Sequence, residues 1–305
     1  MKEKLIYSAL MFAFLVTADS KPLDLSKVSK DANWVIHMDF ESMRDSEVGS
    51  FMLDYMEEVP EAVDRMEHMK RKYGVDMKTF SYLTMSGTGE KHKGIAIMKG
   101  GIDPKALTQF ADSQDSLDVS QIGKQKVYSA NRGRHSMAFA ILKKGFVVGG
   151  PDNLYVSEGI QLAKSKTSKY DGHPLLDVLQ KQIKNPGFLF FADVKNGSKM
   201  HDIHPRAKAM IENVRSAGMV IGDDAGSLGL TAVIETTSEE ACQQVEAMVR
   251  GGMAMVDLKK ASDKRIEKFI LGHSIKRKGN TLWINIDFSM EAIVEHMEKE
   301  MKKSA

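Results

Sequence analysis

Cysteine is almost missing from this chain: Cys242 is the only one in 305 residues. One thiol excludes an intrachain disulfide framework, a cysteine-based zinc knuckle and a C-x-x-C redox pair, so stability has to come from packing. Charge of one sign is missing too. The 43 basic and 41 acidic residues leave a net charge of +2 and are interspersed, which gives no electrostatic footprint for nucleic acid and no basic membrane-surface helix. There is no G-x-S-x-G elbow and no H-E-x-x-H pair, so the common hydrolase and metalloprotease signatures are absent. Long apolar runs are absent as well. The one at the start, Leu5 to Val16, is twelve residues long, too short to span a hydrocarbon core of roughly 30 Å as a stable helix.

What that run does have is the plan of a secretory signal peptide: Lys2 and Lys4 ahead of it, small residues behind it. Cleavage is expected after Ala18 or after Ser20. Neither puts a cysteine at the new terminus, which argues against a lipid-anchored lipoprotein. The mature chain is then secreted or periplasmic, with no integral membrane span; it would be membrane-tethered only if the first twenty residues stayed attached. Removal at Ser20 leaves 285 residues, enough for two ordinary domains or one large one.

Two residue types invite a chemical reading and have a plainer one. Twenty-one methionines suit Cu(I) through their thioethers. Yet Met52, Met56, Met290, Met297 and Met301 fall on the helical stripes of Val48, Phe51, Val59, Ile293 and Val294, where methionine fills core gaps. Cys242 has the helical spacing of Val245 and Val249, which predicts a buried, inert thiol.

The order of elements occurs twice. Trp34, Ile36, Met38 and Phe40 alternate with Val35, His37 and Asp39 and predict a strand whose buried face holds the first set. A helix follows on Val48, Phe51, Met52, Tyr55, Met56 and Val59, with Pro60 kinking or restarting it and Gly74 stopping it. Strands near Phe80 to Ser86 and Gly94 to Lys99 turn at Gly87-Thr88-Gly89. Asp103-Pro104 opens a helix. Strands near Lys126 to Ala130, Met137 to Leu142 and Phe146 to Val148 come next, and a helix from Asp152 to about Lys164. Lys169 to His173 is a polar joint, and Pro174 to Ile183 a short connecting helix. The second pass reads strand Phe188 to Val194, helix Pro205 to Val214, a hairpin of Met219 to Gly222 with Leu228 to Ile234, and a helix ending at Gly251-Gly252. That helix opens on the capping box Thr237-Ser238-Glu239-Glu240. A hairpin of Phe269 to Lys276 with Thr281 to Phe288 and the helix Met290 to Met301 close it. Tight glycine turns make successive strands antiparallel. The expected fold is therefore α+β: two similar units of antiparallel sheet packed by helices, duplicated and of ferredoxin-like flavour. The expected boundaries are 1–20 signal peptide, 21–170 first unit, 171–186 connecting segment and 187–305 second unit.

The run Gly74-Val75-Asp76-Met77-Lys78-Thr79-Phe80-Ser81-Tyr82-Leu83, followed by Lys99-Gly100-Gly101-Ile102-Asp103-Pro104 and Gly149-Gly150-Pro151-Asp152-Asn153-Leu154, resembles uncharacterised secreted bacterial proteins of the DUF3352-like kind. The strand from Ala32 to Phe40 is similar in its place after the signal peptide. The resemblance implies the fold; it implies no reaction, catalytic motif or cofactor.

His201-Asp202-Ile203-His204 is the best metal candidate, two imidazoles that could converge on one ion with Asp193 as a third ligand. The plainer reading makes these residues a helix entrance before Pro205. His37 and Asp39 share a strand face and, with Asp193, could form a polar cluster; otherwise both aspartates cap the following turns, as Ser289 would cap the last helix. Gly87-Thr88-Gly89-Glu90-Lys91 fails the P-loop pattern and reads as a hairpin turn. Asp223-Asp224 lacks the ladder of oxygen ligands that calcium needs. Arg132, Arg134 and His135, with Lys143 and Lys144 nearby, read as a solvated basic hairpin surface or, less favoured, an acidic-ligand patch.

These features point to an exported, non-catalytic binding or structural protein with no cofactor, whose partner is an unknown envelope protein or ligand. The alternative is an extracytoplasmic metal-assisted enzyme using His201 and His204. On the favoured reading, chelator-washed protein carries no stoichiometric zinc or copper by elemental analysis. Stoichiometric metal that is lost in the His201→Ala/His204→Ala variant establishes the alternative.

Overall fold

A computed structural model describes residues 23–90, 93–132, 135–183, 185–195, 211–224 and 227–302. Its strands are β1 (Trp34–Asp39), β2 (Val75–Gly87), β3 (Ile95–Ile102), β4 (Asp118–Ile122), β5 (Gln125–Arg132), β6 (His135–Leu142), β7 (Phe146–Gly150), β8 (Asn185–Asp193), β9 (Val214–Asp224), β10 (Ser227–Thr236), β11 (Ile270–Lys278) and β12 (Thr281–Ser289). The helices are α1 (Phe40–Arg44), α2 (Glu47–Glu58), α3 (Pro60–Tyr73), α4 (Pro104–Asp112), α5 (Asn153–Lys164), α6 (Pro174–Leu179), α7 (Glu239–Ser262), α8 (Lys264–Phe269) and α9 (Met290–Lys302). The fold is α+β, as expected. All the strands join one twelve-stranded sheet in the order β11-β12-β10-β9-β8-β1-β2-β3-β7-β6-β5-β4. Every pairing is antiparallel, so the described strands contain no split β-α-β unit with parallel neighbours, and the ferredoxin-like expectation gives way to a meander. The two expected units share this sheet, because β1 pairs with β8, Trp34 opposite Ala192 through Met38 opposite Phe188.

Helices cover both faces. On one, α6 and the segment around Leu25–Lys27 bury Val35, Leu189, Phe191, Val220 and Val233, and α5 buries Ile97, Val148 and Ala140. On the other lie α2 and α9 against Ile221 and Leu228, α7 against Leu282 and Ile284, and α4 near Tyr128 and Ile141. This layering corrects the reading of β1. Val35, His37 and Asp39 are its fully buried set, while Trp34, Ile36 and Met38 are half-buried. In a strand at the middle of a covered sheet both faces are enclosed, so alternation of polarity no longer identifies the inner one.

Local signals set most boundaries. α2 stops at Glu58 and α3 restarts on Pro60, whose missing N–H costs nothing in a first turn. Gly74 ends α3 at φ 66°. Asp103 and Asp152 cap α4 and α5 as expected. Three expectations shift. The cap of α7 is Ser238, whose Oγ accepts from the Ala241 amide at 3.1 Å, one residue beyond the Thr237 box. α7 runs on through Gly251 and Gly252 to Ser262: the favourable helix formers after them outweigh a cost of about 1 kcal/mol per glycine. The connecting helix is shorter, ending at Leu179. β4 was hidden by its polar sequence, Asp-Val-Ser-Gln-Ile. The helix expected from Pro205 falls largely outside the described residues, as do the signal peptide and Arg134.

Two glycine contacts fix the packing. Trp34 lies so close to Gly87 and Gly94 that a Cβ on either would sit within 2.9 Å of its ring. In β9, a Cβ on Gly218 would meet Leu179 Cδ1 at 2.3 Å and the Phe190 carbonyl oxygen at 2.6 Å. α6 thus settles into a gap that only glycine leaves. Gly218→Ala is expected to destabilise the protein by about 1–3 kcal/mol, read as a lower urea midpoint at unchanged slope.

Candidate functional site

Of the residues singled out from sequence, only some lie among those described. His201 and His204 lie outside the described residues. Asp193 ends β8, and its N–H donates to the Asn33 carbonyl at 2.6 Å. That contact also removes the cluster with His37 and Asp39. Antiparallel register carries Asp193 past Trp34, while His37 and Asp39 stand toward the other end of β1, so Asp39 and Asp193 are roughly 20 Å apart at the usual rise per residue. Among the described residues no three His, Cys, Asp or Glu side chains are grouped to hold a metal ion.

The polar groups serve structure. Asp39 accepts from the Ser42 amide at 3.0 Å and the Ser42 hydroxyl at 2.7 Å, capping α1. His37 Nδ1 lies 2.9 Å from Thr84 Oγ1 on the neighbouring strand. Lys126 and Tyr128 donate to Asp112 at 2.9 and 2.8 Å, tying α4 to β5. The Lys126 ammonium and then the Tyr128 hydroxyl hold the Asp112 carboxyl below the usual range. Burial, followed by the Asp112 carboxylate, pushes the Tyr128 phenol up. Cys242 is free and fully buried, and burial raises its thiol further from ionisation. Met290 and Met297 are buried beside Val48, as their stripes predicted; the side chain of Met301 lies outside the described residues.

The basic stretch divides. Arg132 ends β5 and His135 begins β6 at one end of that hairpin, whereas Lys143 and Lys144 turn the chain at the other end of β6. An eight-residue strand separates the two groups.

A concave feature of nearly uniform chemistry is a cavity of about 200 Å³ between sheet and helices. Its floor is Leu228 of β10 and Phe288 of β12, and its walls are Val48 of α2, Phe269 of α8, and Ile293 and Met297 of α9. His296, exposed, stands at the mouth with its ring edge-on to Phe269 at 6.0 Å. Caps aim the two longer helices: Ser46 Oγ accepts from Gly49 at 2.9 Å for α2, and Ser289 Oγ from Ala292 at 3.1 Å for α9. The Ser289 cap was legible in the sequence; the void was not. The six-residue α8 contributes Phe269 to its lining. An apolar cavity of this size is larger than one of about 150 Å³ that stays dry and takes up benzene. It is suited to an uncharged ring or a short hydrocarbon chain.

No family model matches the chain, and no curated protein matches it. The chain is similar to TP0453 in three crystal forms. Form III aligns at a TM-score of 0.51 and 8% identity over 92% of this chain and 98% of that chain. Form I aligns at 0.50 and 10% over the same shares, and form IV at 0.51 and 8% over 91% and 97%. At such identities the likeness is one of fold alone.

Met297→Ala, which enlarges the cavity, is expected to cost about 2–5 kcal/mol, measured by urea unfolding, with the far-UV spectrum unchanged.

Proposed function

We propose that this chain is an exported, non-catalytic binding protein of the cell envelope, and that the apolar cavity among α2, α8 and α9 is its ligand site. The observation that carries the reading is the lining: six of its seven residues are apolar, and the seventh, His296, stands at the mouth. A ligand is then a small apolar body, with His296 offering one hydrogen bond to a polar end. Supporting the non-catalytic part, polar side chains of reactive types are occupied as caps: Asp39, Ser46, Asp103, Asp152 and Ser238 each accept from helix-opening amides. No helix among the described residues is long and apolar enough to cross a membrane. Export rests on the amino-terminal signal pattern, and the DUF3352-like resemblance belongs to the same proposal.

A duplicated design, with units at 21–170 and 187–305, completes it. Outward from the central pair the order is β1-β2-β3-β7-β6 on one side and β8-β9-β10-β12-β11 on the other. A helix follows β7 and another follows β12. That agreement in order supports an origin by repetition, with β4 and β5 added to the first half.

The test is titration with the apolar fluorophore N-phenyl-1-naphthylamine. Saturable one-to-one binding is expected, weakened at least tenfold, about 1.4 kcal/mol, by the cavity-filling Ile293→Trp. Equal binding by wild type and a folded Ile293→Trp variant overturns the assignment.

A further inference from the structure

A second concavity, of about 970 Å³, has the opposite chemistry. It lies where the β4–β5 turn, the β6–β7 turn and the last turns of α5 meet. Among the described residues six lysines line it, Lys27, Lys124, Lys143, Lys144, Lys164 and Lys166, and no aspartate or glutamate does. We propose that this groove binds a compact anion of the phosphate type, either as a soluble molecule or as a lipid head group.

The placement of the lysines carries the inference. Lys124, Lys143 and Lys144 come from two turns twenty residues apart in sequence, brought to the same end of the sheet by the β4–β5–β6–β7 meander. Lys164 ends the helix packed across them, and Lys166 follows just beyond its cap. Five of the six are exposed and make no ion pair with a described residue. Lys27 is built into the wall: its side chain is 9% exposed, 3.6 Å from Asp24, and it donates to the Ser165 carbonyl at 2.5 Å. A lysine beside the carboxyl end of a helix is ordinary, because it faces the negative end of the macrodipole. That accounts for Lys164 and Lys166 and leaves the turns unexplained.

Lys144 is the only non-glycine with positive φ among the described residues, at 66°. Glycine or asparagine takes that conformation at less cost, yet a lysine stands there, next to another lysine and across the groove from a third. With no carboxylate among the described lining residues, the like charges raise the local positive potential and favour entry of an anion. Ammonium groups on flexible stems act as point charges and suit a compact, dense anion such as a phosphate. Phe146 and Ile160 in the lining give an apolar portion of the ligand somewhere to rest.

Calorimetric titration with inorganic pyrophosphate at low salt, and co-sedimentation with phosphatidylglycerol and phosphatidylcholine vesicles, test the proposal and separate the two sources. The site variant is Lys124→Gln/Lys143→Gln/Lys144→Asn, in which asparagine tolerates the left-handed turn. The control is Lys105→Gln/Lys181→Gln/Lys278→Gln, which removes the same charge elsewhere. Saturable pyrophosphate binding weakened at least tenfold in the site variant and within twofold of wild type in the control supports a soluble ligand. Sedimentation with phosphatidylglycerol alone, lost in the site variant and kept in the control, supports a head group. Binding to neither probe, or equal losses in both variants, overturns the proposal.

Discussion

The antiparallel pairing of β1 with β8 is the contact on which the rest of the molecule hangs. It joins residues 150 to 158 positions apart in sequence, and without it the sheet falls into two pieces, each with a raw edge. Val35 and Phe191 face each other across it, both fully buried. Burying such side chains contributes about 1.5–3 kcal/mol each. Leu189 and the three buried leucines of α6 extend that core. The segment between the halves is therefore no slack linker: α6 is part of the core that the pairing creates, held by the gap at Gly218.

The same pairing explains why the sequence revealed elements better than their relations. Helix caps and turn glycines act over three or four residues, so Asp103-Pro104, Asp152, Gly74 and Ser289 could be read directly. Alternation revealed that β1 is a strand. It could not tell which face is inside, because Val35 acquires its cover from α6 and the Leu25–Lys27 segment, which are far away or locally featureless. The fate of Asp193 is a matter of register: it was placed beside Asp39 by analogy of position, and an antiparallel partner strand puts it at the opposite end. Gly251-Gly252 failed as a stop because a helix ends on the balance of its flanks, and Met253 to Lys260 favour continuation.

Both concavities illustrate what a linear reading leaves out. The stripe of Met290, Ile293 and Met297 was visible as a core face, but a void is a deficit of neighbours and has no residue of its own. The lysines of the other groove were visible in pieces. Lys143 and Lys144 were grouped with Arg132 by proximity in sequence, whereas the meander groups them with Lys124. One site is apolar and the other cationic, and they belong to opposite halves of the sheet.

A sheet of twelve strands has just two outer rims, β4 and β11. An open rim invites another chain to add itself there, strand upon strand. β4 is five residues long and mostly polar. β11 is interrupted near Gly272 by a register shift and ends in Lys276, Arg277 and Lys278, with Arg277 held by Glu246 of α7 at 2.8 Å. Shortness guards one rim, and a kink with clustered charge guards the other, so each end of the ladder resists the addition of a further strand.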